Sequence, residues 1–263
     1  MSISMSEIII VEDLQALSRT AAELFVTRAD AVLKEKPFFT VALSGGSTPK
    51  DLYTQLASGR GIRNKIEWQK VHFFWGDERH VAPDHPQSNF RMANDAMLTS
   101  LPLAPQNIHR IPSEDTDADR AARRYEQELI RFFQLRANQY PRFDLIWLGL
   151  GSDGHTASLF PQSAALTEKK RLVAANWVEK IQSHRITMTP AVLNHAECII
   201  FLVSGAHKAG SLKQVLEGGD RAEQLPAQLI QPLHGKLYWL IDRAAAGELE
   251  HKEAYRINAK ENH

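Results

Sequence analysis

Short apolar runs alternate along this chain with longer segments in which apolar residues recur every three or four positions, and that alternation restricts the fold more than any single motif. "FFTVAL" (38–43), "VHFFWG" (71–76), 143–149, a stretch near 172–178, "CIIFLV" (198–203) and 236–241 read as strands. Leu14, Leu17, Ala21, Leu24, Phe25 and Val32 keep helical spacing and predict an amphipathic helix over 12–35. Leu52, Tyr53 and Leu56 mark a second helix, with Thr48 as its expected N-cap and Pro49 at its first helical position. Ser88 is placed to cap a helix running to about Leu101. The acidic "SEDTDAD" precedes another, with an apolar face of Tyr125, Leu129, Phe132 and Phe133; its carboxylates suit a helix N-terminus better than a calcium loop. Further helices are expected near 190–196 and 206–217. The pattern predicts an α/β fold, an open doubly wound and mostly parallel sheet with helices on both faces, as one domain over 1–263.

Composition narrows the partners. Thirty-one basic residues balance thirty-one acidic ones, so the overall field gives no reason to expect nucleic acid or an anionic membrane. The single cysteine, Cys198, excludes an internal disulfide and reads as core. "MSISMSEIIIVEDL" lacks a basic region followed by a long apolar run, and no stretch approaches the roughly 18 apolar residues of a membrane span. A cytoplasmic protein is expected, and nothing in the chain demands more than a monomer.

In open α/β sheets ligands bind beyond the carboxyl ends of the strands. Four polar clusters fall there: Ser44 to Thr48, Asp77 to Arg79, Ser152 to His155 and Ser204 to Lys208. In the first, Gly45 and Gly46 precede a helix start whose free N–H groups suit a phosphate, although a capped turn with no ligand reads equally well. Lys208 falls in the first turn of a helix, where a cation opposes the helix dipole unless an anion lies between them; a solvated surface lysine is the plain alternative. Arg185 offers a planar fork for phosphate oxygens. Asp77, Glu78 and Arg79 are either a solvated loop or the holders of a polar substrate. His80, Asp84 and His85 lack the spacing of a helical metal pair, and no metal site is expected.

Gly149, Gly151 and Gly154 match the GxGxxG pattern, but no acidic residue stands at a strand end about twenty residues on, where dinucleotide binding would want one. Asp153 and His155 inside the turn fit a reaction centre better, since histidine accepts protons near neutral pH and a carboxylate orients it. A lone His–Asp pair is also often structural.

Taken together, "LSGGSTPKDLY", "WGDERHVAPDHPQSNFRMAND", "FDLIWLGLGSDGHTASLFP", "RITMTPAVLNHA" and "FLVSGAHKA" resemble the 6-phosphogluconolactonase family, within a larger group that includes glucosamine-6-phosphate deaminase. The resemblance spans nearly the whole chain. It implies hydrolysis of 6-phospho-D-glucono-1,5-lactone, a small phosphosugar lactone, to 6-phosphogluconate, the second step of the oxidative pentose phosphate pathway, with no cofactor and no metal. It implies that His155 is the general base, that Asp153 orients it or the substrate, and that Arg79, with Asp77 beside it, orients substrate. Ser44, Gly45, Gly46, Ser47, Arg185 and Lys208 match the sugar-phosphate site. His80 after "DER" and Ala82 in place of a common proline depart from the family pattern outside that chemistry. No GxSxG elbow occurs, so direct attack by water is expected rather than an acyl-enzyme. The rival readings are the deaminase, whose motif typically carries tyrosine where Arg79 stands, a non-catalytic sugar-phosphate sensor, and a NAD-dependent enzyme.

Overall fold

The computed structural model describes residues 6–250 and the backbone of 256–257. Ten strands occur among the described residues: β1 (Glu7–Val11), β2 (Phe39–Leu43), β3 (Val71–Trp75), β4 (Asp77–Arg79), β5 (Leu145–Gly149), β6 (Val173–Val178), β7 (Ser183–Met188), β8 (Cys198–Val203), β9 (Lys236–Asp242) and β10 (Arg256–Ile257). The α-helices are α1 (Leu14–Leu33), α2 (Ser47–Ser58), α3 (Arg60–Arg63), α4 (Asn89–Ala96), α5 (Ala118–Phe132), α6 (Pro190–Leu193) and α7 (Ala209–Glu217).

Seven strands pair in the order β10-β1-β9-β8-β5-β2-β3, all in parallel. Parallel strands need both faces covered, which explains why β2 and β8 are buried at every position. From β2 the chain moves outward to β3 and then returns to lay β5 on the other side of β2. The carboxyl ends of β2 and β5 therefore flank the topological switch point, where such sheets hold ligands.

The other three strands form a separate antiparallel sheet, β4-β7-β6. The strand expected near 172–178 thus exists as β6 but belongs outside the main sheet. β4 and β7 were not expected as strands, because "DER" and "SHRITM" show charge where strand recognition relies on apolar residues. β1, in an apolar stretch too short to be distinctive, was also unforeseen.

Two buried tyrosines finish the ladder where β2 and β3 leave the sheet. The Tyr53 hydroxyl accepts from the Ser44 N–H at 3.0 Å and donates to the Ser44 carbonyl at 2.9 Å. Tyr125 does the same for Trp75, at 2.9 and 3.1 Å. Each ties a helix to a strand end and satisfies backbone groups that no neighbouring strand reaches. Burial raises both phenols far above their ordinary range, so they stay neutral.

Helix boundaries shift in explicable ways. α2 starts at Ser47 rather than after Thr48, because Gly46 takes the capping position at φ +110°, a conformation open to glycine. Pro49 then falls at the third helical position, still within the first turn. The helix capped by Ser88 ends at Ala96 and gives way to a tighter turn at Leu98–Ser100. The acidic run does serve a helix start: Asp117 accepts from the N–H groups of Asp119 and Arg120.

Behind β3, His72 and His109 form a relay. His109 Nδ1 lies 2.8 Å from the Glu128 carboxylate and its Nε2 lies 3.0 Å from His72 Nδ1. Two neutral rings satisfy this chain, with His109 donating to Glu128 and accepting from His72. Burial among Phe38, Phe74 and Phe132 pushes both histidines down to about 4. A histidine depressed on folding contributes stability that is complete above its unfolded value and is lost as pH falls toward the folded one. Thermal unfolding should therefore show Tm declining from about pH 6.5 to about pH 5, before most carboxylates titrate. His72→Gln should flatten that decline; an equal slope in both proteins would contradict the assignment.

Candidate active site

The turn after β5 is closed by its own backbone: Gly151 N–H donates to the His155 carbonyl at 2.8 Å, and Gly154 N–H to the Gly151 carbonyl at 3.0 Å. Gly154 adopts φ +78° against Leu225, and a Cβ on Gly151 would lie 2.0 Å from His155 Nδ1. Glycine is required at both positions, for backbone conformation at one and for room at the other. The pattern that resembles a dinucleotide loop instead makes space for an imidazole.

His155 is half-buried and stacked on Phe160, with ring centroids 4.2 Å apart. Its Nδ1 lies 2.5 Å from Asp153 Oδ1. The hydrogen bonds from His155 and then Lys180 hold the Asp153 carboxyl well below the usual carboxylate range, against partial burial. An ionised Asp153 accepts the Nδ1 proton and leaves Nε2 as the basic nitrogen. This is the arrangement of an oriented base.

The small sheet brings the second group of residues. β4 pairs with β7 so that Asp77 opposes Thr187 and Arg79 opposes Arg185. Two arginines directly across an antiparallel pair repel each other. Arg79 donates to the Gln87 carbonyl, and Arg185 to Ser183 Oγ and the His184 carbonyl. Neither forms a salt bridge with a carboxylate among the described residues. Burial, and then the nearby Arg79 cation, lower the Arg185 pKa. A fixed, partly desolvated pair of cations without a bonded counter-charge has the chemistry to hold an anion.

His155, Asp153, Asp77, Arg79 and Arg185 line one open pocket together with Ser152, Ser158, Phe160, Lys180 and Ile181. Ser44, Gly45, Gly46, Ser47 and Lys208 lie outside that lining. The glycine turn of α2 is nevertheless joined to it: Gly45 packs so tightly on Asn89 that a Cβ would fall 1.9 Å from its Oδ1, and Asn89 donates to the Asp77 carbonyl at 2.9 Å. Ser44 is buried with its hydroxyl unpartnered, and Tyr53 anchors its backbone. Lys208 is half-buried at the start of α7. Burial lowers its pKa, with the Asp153 charge opposing.

The adjacent acids separate by their contacts. Asp77, only 6% exposed, accepts from Ser158 Oγ at 2.7 Å and faces the pocket. Glu78 faces away and accepts from the N–H groups of Arg79, Asn89 and Phe90 and from the Ser88 hydroxyl. Burial raises its pKa against those bonds. Glu78 is thus the clamp that fixes β4 to the start of α4. Sequence reasoning missed Lys180, Ser158 and Asn89: the first is on a hairpin outside the strand-end pattern, and the others are small polar residues in loops or at a helix start.

Residues 12–239 match the family described as glucosamine-6-phosphate isomerases/6-phosphogluconolactonase. The chain belongs to this family. It is 42% identical over 240 residues to a protein named 6-phosphogluconolactonase from Nostoc sp., covering 91% of this chain and 97% of that one. The solved 6-phosphogluconolactonase from Trypanosoma cruzi superposes with a TM-score of 0.82 at 29% identity, over 95% of this chain and 98% of its own. A monomeric glucosamine-6-phosphate deaminase is more distant, with a TM-score of 0.76 at 25% identity, over 93% and 100%.

Removing the Glu78 carboxylate would leave several buried donors without a partner. Glu78→Ala is expected to lose about 3 kcal/mol of stability in urea unfolding, and Glu78→Gln less. A loss below about 0.5 kcal/mol for Glu78→Ala, the level of an ordinary surface change, would refute the clamp.

Proposed function

We propose that this protein hydrolyses 6-phospho-D-glucono-1,5-lactone to 6-phosphogluconate by direct attack of water, with His155 as the general base. The observation that carries the reading is an imidazole with Nδ1 held by Asp153, opening onto a pocket with two arginines that lack a bonded counter-charge. The names of the family's similar members agree with it.

His155 Nε2 takes a proton from water as the water oxygen bonds to the lactone carbonyl carbon. The carbonyl electrons move onto oxygen, and polar donors of the pocket stabilise that charge. When the carbonyl re-forms, the bond to the ring oxygen breaks, and the imidazolium returns its proton to the departing alkoxide. Asp153 keeps the ring oriented and stabilises the imidazolium in between. In this reading Arg185 and Lys208 take the substrate's phosphate. Its negative charge offsets the repulsion between Arg185 and Arg79, which orients the lactone ring. Every group in this scheme is a side chain or water, so the reading invokes neither metal nor cofactor. Among the described residues no helix is long and apolar enough to cross a membrane. The pocket is lined by residues of one chain, which fits a monomer, and a charged phosphosugar substrate fits a cytoplasmic enzyme.

Acid release from freshly prepared lactone near pH 7 tests the proposal, with an enzyme-free control because the lactone also opens spontaneously. Wild type should accelerate the reaction, and His155→Ala should lose about 10²-fold or more in turnover with its circular dichroism unchanged. Near-normal turnover in that variant removes His155 from the role. Ammonia release from glucosamine 6-phosphate is expected to be absent; its appearance would favour the deaminase reading.

A further inference from the structure

We propose that Lys180 is a positioning residue that sets the proton affinity of His155 through Asp153, an inference that rests on the lactonase reading above. The Asp153 carboxylate is divided between two partners. Oδ1 meets His155 Nδ1 at 2.5 Å, and Oδ2 accepts from Lys180 Nζ at 2.8 Å. Lys180, Asp153 and His155 therefore form one chain of contacts along the pocket wall.

The turn that carries Lys180 is held in shape. It lies between β6 and β7, where the Glu179 carboxylate accepts from Trp177 Nε1 at 2.8 Å and from Gln182 Nε2 at 2.6 Å. Gln182 adopts the left-handed conformation at φ 45°, and its N–H donates to the Glu179 carbonyl. This turn directs Lys180 back over the pocket. The Lys180 side chain itself is 67% exposed, so the ion pair adds little to stability. Its consequence is electrostatic and local.

An ionised Asp153 beside His155 favours the imidazolium, which cannot act as a base. A cation on the other carboxylate oxygen withdraws part of that influence and favours the neutral, basic form of the ring. The other charges facing His155 are Asp77 and Arg79 from β4, Arg185 from β7 and, acting on Asp153 from the start of α7, Lys208. Among the described residues, Lys180 is the cation hydrogen-bonded to the carboxylate that holds the base.

Lys180→Gln and Lys180→Arg test this, through the pH profile of lactone hydrolysis and through NMR titration of the His155 ring without substrate. In Lys180→Gln the acid limb of kcat/KM should move up by about 0.5 to 1 unit, the size expected for losing one partly screened charge at this range. Activity at about pH 6 should then fall several-fold and converge on wild type at about pH 8, while Lys180→Arg keeps the wild-type limb. The NMR midpoint of His155 should rise by the same amount. An unmoved limb and midpoint overturn the proposal, and so does a loss of equal size at every pH, which would make Lys180 a substrate contact. If wild type fails to open the lactone at all, the lactonase reading falls, and the NMR midpoint alone decides whether Lys180 is coupled to His155.

Discussion

The pairing of β4 with β7 is the constraint on which the site depends. Three residues of β4, all charged, would be expected to stay in water. They are held as a strand because Glu78 accepts four hydrogen bonds on one side while Asp77 and Arg79 face the pocket on the other. Strand alternation does the sorting: neighbouring residues point to opposite faces, so one acid becomes a clamp and the next lines the cavity. The same register sets Arg79 opposite Arg185. Repulsion between them is tolerated because the surrounding bonds over-determine the strand, and the anion proposed above would relieve it.

The main sheet supplies rigidity of a different kind. β2 and β5 are neighbours whose following segments diverge, and each ends in a glycine turn. At β2 the turn opens a helix, and Tyr53 holds its first residue by both backbone groups. At β5 the turn coils back on itself, and the room left by Gly151 is taken up by the His155 ring. Phe160 closes the other side of that ring by stacking. The ring proposed as the base is thereby fixed by packing and by its hydrogen bond to Asp153.

Much of this architecture was legible in the residues. Apolar runs such as "CIIFLV" announced the parallel strands because a strand buried on both faces has to be continuously apolar. His155 and Asp153 were legible as a pair because histidine accepts protons near neutral pH and a carboxylate orients it, and the structure brings the two side chains into hydrogen-bond contact. The small sheet was not, since "DER" and "SHRITM" form strands through side-chain clamps and pairing between segments about a hundred residues apart in sequence. Lys180 was invisible for a related reason: its meaning depends on a hairpin turn that places it on Asp153, and a lysine in "VEKIQ" reads as an ordinary surface residue. The roles of Tyr53 and Tyr125 were half visible; helical spacing marked them as core, but their hydroxyls' grip on two strand ends appears only in three dimensions.

On the reading above, strand pairing builds an anion site beside a base that takes no part in holding the anion. Calorimetric titration of 6-phosphogluconate into wild type, His155→Ala and the double variant Arg79→Met/Arg185→Met tests it most directly. Wild type should bind, His155→Ala should bind within a few-fold of it, and the double variant should lose 10²-fold or more, about 3 kcal/mol. Undiminished affinity in a properly folded double variant would contradict it.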